Sequence, residues 1–298
     1  MMTAPVLRTA LKTYPHTADI KSGKLTDPRV VLDCLDIDPI YKAFAPMARR
    51  QEYDVSEMAI VTFLQAKAYG KPLIMLPTVV AARPQQGCIV YNANRGPLTL
   101  ADLPGKRVGV RAYTQTTGMW VRGILGNTYG VPLEQVNWIS FEDAHLAEYT
   151  DPAFVTRAPA GKKMLDMLLD GELDAAIFGN DLPSGDGITP LIPDARQADQ
   201  AWYEQHRLVP PNHVVVMRRD VAERDPGAAL AVYELLKRGK AAAPATQPVN
   251  RLPTGVEALR GPLALTLEYC QQQNLLPRGL TLDQIFADSA VFLGAAGQ

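Results

Sequence analysis

The stretch of sequence that decides the fold is residues 107–125, RVGVRAYTQTTGMWVRGIL. It begins with the apolar and glycine residues of a buried β-strand. Arg111 and several hydroxyl side chains follow, and the apolar residues then recur at the spacing of a helix. A strand that turns directly into a helix is the repeating unit of an α/β protein.

Similar units lie before and after this stretch. Residues 30–37, 73–81 and 136–141 have the apolar, β-branched composition of strands, whereas residues 60–69 and 161–169 have helical periodicity. Strands that alternate with helices in this way predict an α/β protein with parallel sheets.

Two turn-rich stretches, at residues 94–97 and 210–212, divide the chain. They predict a first lobe made of residues 1–94 and 210–298, which includes the C-terminal helices, and a second lobe made of residues 95–209. Because the chain leaves the first lobe and returns to it, we expect two interlobe crossings and a ligand cleft between the lobes.

Ligands of open α/β sheets bind beyond the carboxyl ends of strands, and this rule selects three corners. They are residues 14–17, Ser56 with Glu57 at the end of a predicted strand, and residues 111–117. At the third corner, the N-terminus of a helix would favour an anion, and an arginine could bind a carboxylate with two hydrogen bonds. The ordinary alternative is that a threonine only caps the helix and the arginine pairs with a surface acid.

Three titratable side chains lie at or near these corners. His16 and Glu57 occupy the first two corners, and His213 lies at the return crossing. Titratable groups that converge in a cleft are suited to acid–base chemistry. Each of them alone is more commonly a solvated surface residue.

Composition excludes several other classes of function. The 298 residues carry 30 basic and 31 acidic side chains, so the chain has no excess of positive charge for nucleic acid. No apolar run is long enough to cross a bilayer, and the first ten residues lack the apolar segment of a secretory signal, so we expect a cytoplasmic protein. The cysteines (Cys34, Cys88 and Cys270) are too scattered for a disulfide framework, and Glu142 with His145 supplies too few ligands for a metal.

A series of short motifs runs in one order from about residue 6 to residue 290. It includes YPHT at 14–17, DVSEM at 54–58, LPGKRVGV at 103–110, TGMWVRGIL at 117–125 and HVVV at 213–216. In this order the motifs resemble the 4,5-dihydroxyphthalate decarboxylase family, whose fold is similar to that of the type 2 periplasmic binding proteins. DVSEM and TGMWVRGIL are the specific motifs, whereas LPGKRVGV recurs across solute-binding proteins and indicates the fold only.

The resemblance implies non-oxidative decarboxylation of an aromatic dicarboxylate, 4,5-dihydroxyphthalate, to protocatechuate, without a cofactor or a metal. Each carboxylate of this substrate is para to a hydroxyl. Deprotonation of the hydroxyl therefore places negative charge on the ring carbon that bears the carboxylate. That carbon takes up a proton and carbon dioxide leaves.

The resemblance also implies a division of roles within the cleft. Glu57 is expected to be the base, His16 the acid, and His213 a second candidate for either role. Arg111, Thr116 and Thr117 are expected to bind the carboxylate, with Arg83 as a second cation. The full set of expected substrate-binding residues is Tyr14, Ser56, Arg83, Arg111, Tyr113, Thr114, Thr116 and Thr117.

Two other functions remain open at this point. The chain could be a solute-binding protein that holds an aromatic acid without chemistry, or another enzyme of the same fold, such as the chorismate-processing enzymes of menaquinone synthesis. The absence of a secretory signal and the pairing of His16 with Glu57 favour an enzyme. The expected partner is a small aromatic carboxylate, with no nucleic acid and no membrane. The oligomeric state is open, a homo-oligomer included.

Overall fold

A computed structural model describes residues 4–179, 181–244, 252–277 and 279–298. Over these ranges the chain alternates strands with helices, as the sequence predicts. The strands are β1 (Val6–Ala10), β2 (Val31–Cys34), β3 (Val55–Ala59), β4 (Leu73–Ala82), β5 (Ile89–Asn92), β6 (Arg107–Val110), β7 (Asn137–Ser140), β8 (Val155–Arg157), β9 (Ala175–Ile177), β10 (Ile188–Pro190) and β11 (Pro211–Arg218).

The helices include two that the sequence does not predict, α6 and α7. The first of these follows the last strand before the return crossing, and the second follows β11. The full set is α1 (Ala18–Lys21), α2 (Phe44–Arg50), α3 (Ile60–Ala68), α4 (Thr116–Tyr129), α5 (Met164–Asp170), α6 (Ala195–His206), α7 (Arg219–Arg224), α8 (Pro226–Ala242), α9 (Val256–Gln272) and α10 (Leu282–Leu293).

The chain divides into two compact units. Unit 1 contains residues 1–83, 211–267 and 276–298, and unit 2 contains residues 84–210 and 268–275. The first change of unit therefore lies before β5, not after it at residue 94 as the sequence predicts. The reason is that β5 pairs with β9 and β10, which belong to the second sheet.

The sheet of unit 1 has the strand order β2-β1-β3-β11-β4. Strand β1 runs parallel to both β2 and β3, whereas β11 inserts antiparallel between β3 and β4. The prediction of parallel sheets is therefore wrong for the returning strand. Helix α8 packs on this sheet through Ala228, Val232, Leu235 and Leu236, which lie in the same apolar core as Val55 and Val215.

The sheet of unit 2 has the order β10-β5-β9-β6-β7-β8, and β5 is antiparallel to both of its neighbours. Residues 107–125 supply strand β6 of this sheet and, after a turn, most of helix α4. Helix α4 ends at Gly130, whose φ of 68° suits a residue without a side chain. Gly123 allows α4 to lie close to Tyr269, since a Cβ at that position would be 2.0 Å from the ring.

Candidate functional site

Glu57 is a fully buried carboxylate in the middle of β3. The sequence places Ser56 and Glu57 at the end of a strand, but β3 continues to Ala59. Glu57 has no exposed surface. Its Oε1 accepts hydrogen bonds from Tyr14 Oη at 2.7 Å and from His213 Nδ1 at 2.6 Å, and its Oε2 accepts one from the backbone N–H of Lys12 at 3.0 Å. These donors explain how a charged residue can occupy the centre of a sheet.

The register of two antiparallel strands brings His213 to Glu57. His213 of β11 lies opposite Ala59, and Glu57 lies opposite Val215, so the two side chains are diagonal neighbours on one face of the sheet. The His213 ring also packs edge-on against Phe44, with 5.0 Å between ring centroids. Its side chain is 16% exposed, whereas that of Glu57 is not exposed at all. His213 is therefore the member of the pair that can reach a ligand.

The protonation states of this cluster follow from its contacts. Burial alone would raise the pKa of Glu57, but the hydrogen bond and charge of His213, together with the donors Tyr14 and Lys12, hold that pKa below its usual value. Burial and the adjacent Glu57 carboxylate raise the pKa of Tyr14 well above its usual value. The phenol of Tyr14 therefore remains a hydrogen-bond donor to an ionised Glu57.

His16 belongs to the same cluster through Tyr14. The two rings stack with 5.1 Å between centroids and 4° between planes. Burial, assisted by the positive charge of Lys240, lowers the pKa of His16, and the ring also has a hydrogen bond with the backbone of Val80. Its Nε2 atom is buried and has no hydrogen-bond partner among the described residues. A neutral imidazole in this state is a proton acceptor, whereas the sequence predicts a proton donor.

Two other predicted substrate-binding residues of unit 1 occupy less suitable positions. Ser56 is fully buried, and its hydroxyl donates to the backbone carbonyl of Glu57 at 2.7 Å. Its hydroxyl is thus engaged within the strand, and contact of Ser56 with a substrate stays a prediction. Arg83 is half-buried and directly follows β4, and it is the last residue of the first segment of unit 1.

In unit 2, the helix after β6 begins near Thr116 as the sequence predicts, whereas anion binding at this corner stays a prediction. Helix α4 begins at Thr116, its N-cap is Gln115, and no side chain caps it. Thr114, Thr116 and Thr117 are all buried, so the alternative of a simple threonine cap is not observed. The other part of that alternative is observed, because Arg111 Nε lies 3.5 Å from the carboxylate of Glu142, an exposed residue.

Tyr113 is not available to a ligand in the way the sequence predicts. It is 2% exposed. The guanidinium of Arg122 lies over its ring at 4.0 Å, and the ring of Phe154 packs edge-on at 5.9 Å. Tyr113 is therefore part of the packing beneath the corner.

Comparisons with known proteins support the family suggested by the motifs. No family model matches the chain. The chain is 29% identical over 238 residues to a 4,5-dihydroxyphthalate decarboxylase of Comamonas testosteroni, covering 74% of this chain and 71% of the relative. It is 29% identical over 203 residues to a 4,5-dihydroxyphthalate decarboxylase of Pseudomonas putida, covering 62% of this chain and 78% of the relative. The resemblance to the 4,5-dihydroxyphthalate decarboxylases is confirmed.

Solved structures show the fold that this resemblance implies. The chain is similar to the periplasmic aliphatic sulphonate binding protein SsuA of Escherichia coli, with a TM-score of 0.59, 14% identity, and coverage of 94% of this chain and 91% of that one. The MOPS-bound alkanesulfonate-binding protein SsuA of Xanthomonas axonopodis pv. citri gives a TM-score of 0.51 at 14% identity, with coverage of 95% and 99%. The chain thus combines a type 2 periplasmic-binding-protein-like fold with similarity to 4,5-dihydroxyphthalate decarboxylases.

Two cations in this decarboxylase-like chain, the buried Arg122 and the half-buried Lys240, were not predicted as site residues. In unit 2, Arg122 donates to Gln273 Oε1 at 2.8 Å and to the Tyr113 carbonyl at 2.5 Å. In unit 1, Nζ of Lys240 donates to the hydroxyls of Thr78 and Thr254, and the charge of Lys240 lowers the pKa of His16. Arg122 lies within the TGMWVRGIL motif, so the decarboxylase resemblance could have drawn attention to it, but a lysine near a helix end gives no such signal.

The four described ranges contain no group of three or more His, Cys, Asp or Glu side chains arranged to hold a metal ion. None of their helices combines the length and the apolar character that a bilayer crossing demands.

Proposed function

We propose that this protein is a carboxy-lyase that converts 4,5-dihydroxyphthalate to protocatechuate. The observation that carries the proposal is the Glu57–His213 pair, buried in unit 1 of a chain that is similar to decarboxylases of this substrate. A passive binder of an anionic acid gains nothing from an ionised carboxylate beside its ligand. A histidine held by such a carboxylate is an established arrangement for proton transfer.

Glu57 is a positioning residue in this proposal, not the base that the sequence predicts. Both of its oxygens already accept hydrogen bonds from Tyr14, His213 and the Lys12 N–H, whereas Nε2 of His16 has no partner among the described residues. Its carboxylate fixes the orientation of the His213 ring through Nδ1, and it stabilises positive charge on that ring. Nε2 of His213 is then the atom directed to the substrate.

His213 delivers the proton that replaces the departing carboxylate. The phenolate pushes electron density to the para ring carbon, which forms a bond to the proton from Nε2. The carbon–carboxylate bond then breaks, its electron pair returns to the ring, and carbon dioxide leaves. The exposed edge of His213 allows the ring to recover a proton from solvent, so each cycle consumes one proton. A positioned acid of this kind contributes about 10²- to 10⁴-fold to the rate.

His16 accepts the proton of the phenol and returns it to the product phenolate after carbon dioxide has left. Its ring is neutral because burial lowers its pKa, and its Nε2 has no partner among the residues that the structure describes. Stacking on Tyr14 holds the ring in place. This assignment reverses the roles expected from the sequence, since His16 becomes the base and His213 the acid.

Carboxylate binding by Arg111, Thr114, Thr116 and Thr117 stays a prediction. It is supported within unit 2 by the positive end of α4, which begins at Thr116 and has no side-chain cap. Arg111 would exchange its contact with the exposed Glu142 for the substrate carboxylate.

Carbon dioxide release from a panel of aromatic dicarboxylates tests the function. We expect the wild-type protein to decarboxylate 4,5-dihydroxyphthalate and to leave phthalate, which lacks the hydroxyls, unchanged. His213→Asn should lower turnover by about 10²-fold or more, whereas His206→Asn, a control in unit 2, should not. Tight binding of an aromatic acid without carbon dioxide release from any member of the panel would show that the protein is a binder and not an enzyme.

A further inference from the structure

Arg122 of α4 is a buried cation whose guanidinium group is only partly satisfied. It has no exposed surface. Its Nε donates to Gln273 Oε1 at 2.8 Å and its Nη2 donates to the Tyr113 carbonyl at 2.5 Å, whereas its Nη1 is buried without a hydrogen-bond partner among the described residues. The rings of Tyr113 and Trp138 lie 4.0 and 5.4 Å from the guanidinium and offset part of its charge.

No carboxylate in the described part of the chain forms an ion pair with this guanidinium. The charge of Asp151 acts on Arg122, but the Asp151 carboxylate accepts a hydrogen bond from Ser140 Oγ at 3.3 Å instead. Burial also raises the pKa of Asp151, so its negative charge is less stable than that of an exposed aspartate. Burial lowers the pKa of Arg122, yet an arginine stays charged at neutral pH. A buried cation of this kind is costly unless an anion compensates it.

The guanidinium lies beside the first turn of α4. The side chain of a helical residue leans towards the helix N-terminus, and that of Arg122 reaches back to the carbonyl of Tyr113, in the turn between β6 and α4. Gly118 makes room for it, since a Cβ at that position would be 3.0 Å from Arg122 Nη1 and 2.8 Å from Val110, the last residue of β6. The unpartnered Nη1 thus lies against the first turn of the helix, where β6 ends.

Two sources of positive potential therefore coincide at this corner. The start of an α-helix carries a partial positive charge, which disfavours a cation nearby. No side chain caps α4, and Arg122 adds a full charge beside its first turn. An anion at the start of α4 compensates both, because it interacts favourably with the helix N-terminus and with the guanidinium.

We infer that Arg122 is the positioning residue of this corner: its charge attracts one carboxylate of the substrate to the start of α4, and its hydrogen bond to Tyr113 holds the turn beside that carboxylate. The inference rests on the proposed function. It also distinguishes the two carboxylates of the substrate. A cation stabilises a carboxylate more than the neutral carbon dioxide formed from it, so a carboxylate bound here is protected from decarboxylation. The carboxylate at this corner is therefore the one that the product retains.

Protocatechuate, the product, tests the inference because it keeps that carboxylate and undergoes no turnover. Calorimetry with the full chain compares its affinity with that of 3,4-dihydroxybenzamide, in which a neutral amide replaces the carboxylate. We expect wild type to prefer the acid, and Arg122→Met to lower this preference by at least about tenfold. Arg157→Met, at an exposed arginine of unit 2, should leave the preference within about twofold of wild type.

Further variants separate charge from structure. Arg122→Lys keeps the charge without the planar guanidinium, so it should retain the preference within about threefold. Damage to the turn alone would weaken binding of the acid and the amide equally. Equal losses for the two ligands in Arg122→Met, or a loss of preference in Arg122→Lys as large as in Arg122→Met, would assign the effect to packing and overturn the inference. Arg122→Gln, which keeps an N–H donor, provides the neutral variant if Arg122→Met does not fold.

The outcomes distinguish the inference from the proposed function. A wild-type protein that binds neither ligand, or that binds the acid no more tightly than the amide, overturns the role of Arg122. A wild-type protein whose preference for the acid depends on Arg122, but which releases no carbon dioxide from any dicarboxylate, overturns the decarboxylase proposal and leaves the carboxylate site standing.

Discussion

Replacing Glu57 by glutamine should destabilise unit 1 while preserving the shape of the side chain. The carboxylate accepts hydrogen bonds from Tyr14 and His213 at one oxygen and from the Lys12 N–H at the other. An amide has only one acceptor oxygen, so its NH₂ group must face either the Lys12 N–H or the other two donors. A buried donor left without an acceptor costs about 1–3 kcal/mol. We therefore expect a loss of about 2–4 kcal/mol at neutral pH.

The pH dependence of this loss has a defined sign. The folded-state pKa of Glu57 lies below the ordinary value of 4.5. The ionised carboxylate therefore contributes stability that is complete above pH 4.5 and is lost as the pH falls through the lower, folded-state pKa. The difference between wild type and Glu57→Gln should narrow over that acidic range.

Urea unfolding at several pH values measures both effects. The control is Glu52→Gln, the same substitution at an exposed ion pair with Arg50, whose atoms lie 2.6 Å apart. Surface pairs of this kind contribute about 1 kcal/mol or less. If Glu57→Gln costs no more than Glu52→Gln at neutral pH, the buried network does not stabilise the sheet as described. A loss for Glu57→Gln that stays constant into the acidic range would show that the carboxylate is not ionised in the folded protein.

Three further predictions concern other parts of the molecule. Arg111→Ala should weaken binding of an aromatic carboxylate by about 2–5 kcal/mol in calorimetry, and equal affinity for Arg111→Ala and the exposed control Arg196→Ala would remove Arg111 from the site. Gly123→Ala should lower the stability of unit 2 by about 1–3 kcal/mol because its Cβ meets an aromatic ring at 2.0 Å. Gly126→Ala, on the same helix with 3.4 Å to its nearest neighbour, should be neutral or stabilising, and similar unfolding midpoints for the two variants would contradict this packing. Lys240 is protonated up to about pH 7 in the folded chain and up to 10.5 in the unfolded chain, so wild-type stability should rise between these values by up to about 1.4 kcal/mol per pH unit. Lys240→Met should lack this rise in pH-dependent urea unfolding, and parallel curves for the two proteins would refute the assignment.

The sequence predicts the parts of the fold that depend on local patterns. The strand and helix around residues 107–125 appear as β6 and α4, because apolar periodicity there reflects burial on one face. The antiparallel insertion of β11 is not predictable in this way, since period and composition do not reveal the direction in which a strand joins a sheet. The sequence also does not show that β5 pairs with β9 and β10 of the second sheet, and the boundary predicted at residue 94 therefore lies after β5 and not before it.

The sequence names Glu57 and His213 as candidates but does not show that the two side chains are in contact. Glu57 and His213 are separated by 156 residues, so only the register of β3 and β11 shows that the carboxylate is bound to the ring. Within this pair, the His213 side chain is partly exposed and that of Glu57 is not. The order of polar residues in the sequence does not reveal this difference in burial. Lys240 was missed for a related reason, because a lysine in the last turn of a helix is ordinarily a solvated charge.

The position of β11 ties the maturation of unit 1 to the synthesis of unit 2. Until residues 211–218 leave the ribosome, β3 lacks one neighbour and β4 has no adjacent strand in the sheet. Open strand edges of this kind promote aggregation. A chain that stops before Pro211 also leaves Glu57 without the ring that compensates its charge. The strand that completes the sheet is thus also the strand that brings His213 to Glu57, so a prematurely terminated chain has neither the completed sheet nor this buried pair.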